Sequence, residues 1–168
     1  MRVAVRWLIF LSAAALFIYF YKYKFGPLDY GVKSLDATCL YKPSSVPVIL
    51  GKMRDAGKLP LYYETETTFD LIFPLVYGLM FVTAIASLIP GARARRWLIV
   101  LPVIAVLGDY AENTTIIAIL KRFIPNRAAD LGMLPCIASI ASGTKGFFFV
   151  ASALAMIWLA IAWLVKRR

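Results

Sequence analysis

Four apolar blocks set the limits on what this chain can fold into. They run over about residues 4–21, 69–90, 97–120 and 135–165, and each is long enough to cross a bilayer as a helix. A backbone in lipid has no water to satisfy its polar groups, so such blocks are read as helices rather than open strands. The expected fold is all-α: an integral membrane four-helix bundle forming a single domain over 1–168. Hydrophobic residues make up 61% of the chain and mean hydropathy is +0.75, above the range of soluble domains.

The first block, VRWLIFLSAAALFIYFY, begins like a signal peptide, but its far end (FIYFYKYKF) is bulky and basic and lacks a small-residue cleavage site. It is read as a retained first span with an aromatic belt at its exit. The second contains Pro74, which removes one backbone donor and predicts a kink. GARARR is a short enough connection to force blocks two and three into an antiparallel hairpin. The oily character of the fourth begins at LGMLPCIASIASGTKG, so it is either one long tilted helix or a re-entrant segment followed by a helix starting near Lys145.

Residues 22–68 form the one sizeable polar loop. Ser45 and Gly57 are suitable start and stop signals for a helix over about 46–56. Val48, Ile49, Leu50 and Met53 give it an oily side next to Lys52, Arg54 and Lys58. That pattern fits a helix lying in the membrane interface, and equally an ordinary loop helix packed on the bundle.

The formal net charge is +10, but nucleic acid is not the expected partner. The basic residues gather at block ends, near Arg2 and Arg6, in RARR (93–96) and in KRR (166–168). Topogenic charges and contacts with anionic lipid belong there. With four spans both termini share one side, and these basic ends place it in the cytoplasm, in a bacterial inner membrane. The chain has no histidine, which removes the usual transition-metal ligand and the commonest general base. No cofactor and no metal are expected. Cys39 and Cys136 form no CxxC; they are either a disulfide on the outer side or two separate thiols.

GDYAENTTI (108–116) interrupts the third block. At helical spacing Asp109, Glu112 and Asn113 share one face, and carboxylates at that depth must face the bundle interior, be protonated or meet a cation. Lys145 lies at a matching depth in block four and is expected to pair with Glu112 or Asp109. Small residues form two ridges beside it, Ala138–Ser142–Gly146 and Ser139–Gly143, which suit close helix approach. Asp70, Pro74, Tyr77 and Gly78 follow at helical spacing in block two, and Pro74 frees the Asp70 carbonyl from its helix partner. An outward-opening pocket would then collect Asp70, Tyr77, Asp109, Glu112, Asn113 and Lys145.

The motifs FDLIFPLVYG (69–78), GDYAENTTI (108–116) and SGTKGFF (142–148) occur in an order that resembles a group of small four-helix bacterial membrane proteins of uncharacterised function. The resemblance covers about 40–150. It implies that Asp70, Asp109, Glu112, Asn113 and Lys145 act as one set, and it supplies no activity. The loop helix departs from that group's Gly-Arg-x-x-Tyr turn, reading GKLPLYY at 57–63. Vitamin K epoxide reductase-like enzymes would need a CxxC pair, which is missing.

The first functional expectation is a pocket that binds a lipid headgroup or small polar ligand, or an accessory subunit of a larger membrane complex or homo-oligomer. The alternatives are a membrane enzyme with Glu112 as acid–base, an ion- or proton-coupled transporter, and a purely structural buried ion pair.

Overall fold

Each apolar block contains one continuous helix in the structure, a computed structural model that describes residues 3–25, 30–89, 92–126 and 130–165. Helix α1 covers Val3–Tyr19 and widens into a π turn over Phe20–Phe25. In the loop, α2 spans Val46–Asp55 and α3 spans Leu59–Thr67. The remaining helices are α4 (Phe69–Leu88), α5 (Ala92–Phe123) and α6 (Leu134–Val165). Among the described residues there is no strand. Four helical stretches (Ala4–Phe25, Phe69–Leu88, Trp97–Phe123 and Leu134–Val165) are long and apolar enough to cross a membrane.

The four long helices alternate in direction. Arg6 near the start of α1 donates to the Ala86 carbonyl in the last turn of α4 at 2.6 Å, and Leu159 near the end of α6 packs with Leu98 and Ile99 of α5. The start of α1, the end of α6 and the facing ends of α4 and α5 therefore share one end of the bundle. Residues 30–67, 124–126 and 130–133 share the other. The basic ends read as cytoplasmic fall mostly on Arg2, the side chains of 93–96 and residues 166–168, which lie outside the described residues.

Helix α5 begins at Ala92, so the RARR stretch expected as a loop is the helix's first turns. Alanine and arginine are good helix formers, and no breaker follows Gly91 until Pro102. Helix α6 is unbroken from Leu134 to Val165, which selects the single long helix over the re-entrant segment.

The polar loop holds much of the buried core. Leu35, Val46, Leu50, Met53 and Tyr62 are nearly or fully buried and pack with Ile116, Ile119, Leu120 and Phe123 at the end of α5. Leu50 and Met53 thus face the bundle while Val48 is exposed, so the inward side of α2 is centred on Val46, Leu50 and Met53 rather than on Val48. Arg54 fixes this docking. Its guanidinium donates to the Phe123 and Ile124 carbonyls and stacks over the Phe123 ring, giving partners to acceptors that the end of α5 leaves open.

Ser45 makes no side-chain cap. Its hydroxyl donates to the Lys42 carbonyl at 2.7 Å, because Pro43–Ser45 is already a 3-10 turn leading into α2. Gly57 does end the helical run, at φ +68°, the left-handed region that favours glycine.

Helix α1 packs almost entirely against α4. Its Phe10, Ala13 and Phe17 share a cluster with Tyr77 and Phe81 of α4 and Phe149 of α6. Tyr19, Tyr21 and Tyr23 are exposed at its far end.

Candidate functional site

The site begins with a proline. Pro74 sits inside α4 and has no N–H to give to the Asp70 carbonyl one turn earlier. The Asn113 side-chain amide of α5 donates to that carbonyl at 2.7 Å. The neighbouring Leu71 carbonyl accepts from the Tyr110 hydroxyl at 2.8 Å. Two residues of GDYAEN thereby satisfy the first turns of α4 and fix the register between the two helices.

One turn deeper, the Tyr77 hydroxyl lies 2.9 Å from Asp109 Oδ2 and 3.1 Å from the Ala105 carbonyl. Lys145 Nζ from α6 lies 2.5 Å from Glu112 Oε2 and 3.3 Å from Asp109 Oδ1, so it contacts both carboxylates rather than choosing one. Glu112 and Asn113 are essentially without exposed surface. Lys145 is eleven residues into α6, about 16 Å from its start at 1.5 Å per residue.

Close approach of α5 to α6 depends on Gly108. A Cβ there would stand 3.0 Å from the Lys145 backbone nitrogen and 3.5 Å from the Ala141 carbonyl. The glycines on the α6 ridges do a different job from the helix packing expected of them. Gly143 meets Leu40 and Gly146 meets Cys39, while Ser139 donates to the Tyr41 carbonyl at 2.7 Å. These small residues admit the loop segment, which lies directly on α6. Gly108→Val should push α6 away and lower the unfolding free energy by about 1–3 kcal/mol, measured by denaturant titration in mixed micelles. Cys39 and Cys136 are both free thiols.

Sequence reasoning missed a second acidic group. Asp36 from the loop, Glu66 from α3 and Asp70 from α4 place carboxylate oxygens within 4.8 Å of one another. Glu66 is fully buried. The Tyr62 hydroxyl beside it donates to Asp36 Oδ1 at 3.2 Å, and neither Glu66 oxygen receives a hydrogen bond. Burial holds the Glu66 carboxyl well above the usual range, and the nearby Asp36 and Asp70 carboxylates add to the effect. Burial likewise pushes the Tyr62 hydroxyl up, with the Glu66 charge the next contributor. One signal was available: Leu59, Tyr62 and Glu66 are spaced as one face of a helix, with Pro60 suited to its first turn.

A cavity of about 870 Å³ joins these groups. Asp36, Asp70, Asp109, Lys145 and Tyr77 line its polar part. Phe73 and Phe149 line the apolar part, and Tyr21 and Val150, both exposed on the outer faces of their helices, stand at its edge. Glu112 and Asn113 lie behind this wall and not in it. Of the six residues expected to form a pocket, four therefore reach the cavity and two support them from the second layer of the bundle. No protein-family model matches the chain, and no curated protein or solved structure matches it.

Proposed function

We propose that the protein is a multi-pass inner-membrane protein, termini in the cytoplasm, that binds a polar-headed amphiphile in this cavity. The carrying observation is the cavity's two-part wall. Its inner part offers carboxylates, an ammonium and a phenol to a headgroup. Its apolar part leads out between α1 and α6, past Tyr21 and Val150, where an acyl chain in the surrounding bilayer would lie. The bound molecule enters sideways from the outer leaflet, beneath the loop. Anionic lipids surround the basic ends, and assembly into an oligomer or larger complex is compatible with this reading.

Glu112 has no exposed surface and does not line the cavity, which weighs against its acting as acid–base on a bound molecule. Its contact with Lys145 instead favours a structural role for that pair, alongside the binding function of the cavity.

The test is lipid analysis of protein extracted in native nanodiscs. The wild type should retain one lipid class well above its abundance in the membrane. Val150→Trp, which fills the cavity's edge, should remove most of that enrichment while leaving the helical circular-dichroism signal unchanged. A bound-lipid profile equal to the bulk membrane in the wild type would defeat the proposal.

A further inference from the structure

Five carboxylates gather around the inner end of the cavity: Asp36, Glu66, Asp70, Asp109 and Glu112. Lys145 contacts the last two. The first three form a separate group contributed by three different segments. Such convergence of like charge is unfavourable for an unliganded protein interior. Buried polar groups are ordinarily paired, and an exception calls for an explanation. Here neither Glu66 oxygen accepts a hydrogen bond at zero exposure, the neighbouring Tyr62 hydroxyl being given to Asp36, and Asp70 Oδ2 is likewise unpartnered.

We propose that Asp36, Glu66 and Asp70 bind one hard divalent cation of the calcium or manganese kind at the inner wall of the cavity. The donors are all oxygen, which selects hard cations over zinc or copper. The spacing is on the scale of a coordination shell: oxygens on opposite sides of a calcium ion at about 2.4 Å stand about 4.8 Å apart. Asp36 and Asp70 line the cavity, so water there can complete the six to eight ligands that such an ion takes, and the ion has a path in. The expectation of no metal rests on the lack of histidine, which bears on transition metals and not on a hard cation held by oxygens. The new site uses the other acidic group, which Lys145 does not contact. It does not depend on what else occupies the cavity.

Manganese binding to the chelator-stripped full chain in detergent tests this, by loss of the free Mn²⁺ signal in electron paramagnetic resonance. The wild type should bind one Mn²⁺ per chain saturably, with calcium competing. Glu66→Gln and, separately, Asp36→Asn should each weaken binding at least tenfold. Because each keeps the size and an acceptor oxygen of the residue it replaces and adds no charge, neither should melt below the wild type in chelator. Glu64→Gln, an exposed acid on the same helix, should bind as the wild type does. The site is refuted by the absence of saturable binding, by unchanged binding in both Glu66→Gln and Asp36→Asn, or by an equal loss in Glu64→Gln. Lipid analysis is a separate readout, so failure here leaves the amphiphile reading standing, and the reverse holds too.

Discussion

Lys145→Met should lower the unfolding free energy by about 3–5 kcal/mol, the usual cost of removing one partner from a buried ion pair. The cause is what remains. Asp109 and Glu112 lose the ammonium that both contact, and Glu112 has no exposed surface through which water can replace it. The pairing also predicts partial repair. Glu112→Gln in the Lys145→Met background removes the stranded charge and should recover part of the loss, whereas each single change destabilises. Steric trapping in bicelles supplies all four stabilities of the cycle. Additive effects would show that Lys145 and Glu112 are not coupled. Lys145→Arg is not a neutral control, since a planar guanidinium fits poorly where Gly108 brings the α5 backbone against that of α6.

Asn113→Leu should cost about 1–3 kcal/mol, because it leaves the Asp70 carbonyl buried without a donor. That carbonyl needs Asn113 only because Pro74 lacks an N–H. With Pro74→Ala the backbone of α4 supplies its own donor, and Asn113→Leu in that background should cost much less. A cycle over these two positions measures the dependence directly. An equal cost in both backgrounds would mean that the amide matters through some other contact. The outcome bears on function as well, since the amide holds the backbone of Asp70, a residue of the proposed cation site.

Much of this arrangement was legible because helical geometry is local. Spacing alone puts Asp109, Glu112 and Asn113 on one face, and counting residues from helix ends puts Lys145 at the same depth. The freed Asp70 carbonyl follows from Pro74 in the same way. Asp36 and Glu66 were not legible, for a physical reason. Asp36 belongs to no helix, and its position is set by Leu35 next to it, which is buried in the core, and by the bonds that Ser142 and Ser139 of α6 donate to the Thr38 and Tyr41 carbonyls of the loop. Glu66 lies on a helix whose sequence, LPLYYETET, has weak apolar periodicity, and its burial comes from the loop folding over the bundle. The glycines of SGTKG were read as helix-packing residues because periodicity reports which face is small. It does not report whether a helix or a loop lies against that face.

The position of Lys145 on the last helix has a consequence for synthesis. The chain delivers Glu112 thirty-three residues before Lys145 (145 − 112), which at about 5–20 residues per second is a wait of roughly 2–7 seconds. The same interval separates their emergence from the ribosome, and over it the α4–α5 hairpin has its acids uncompensated. In a bilayer it must either hold them protonated or remain shielded by the insertion machinery. A chain that stops short of Lys145 therefore keeps both carboxylates without their ammonium, and the arrival of a single lysine ends that state.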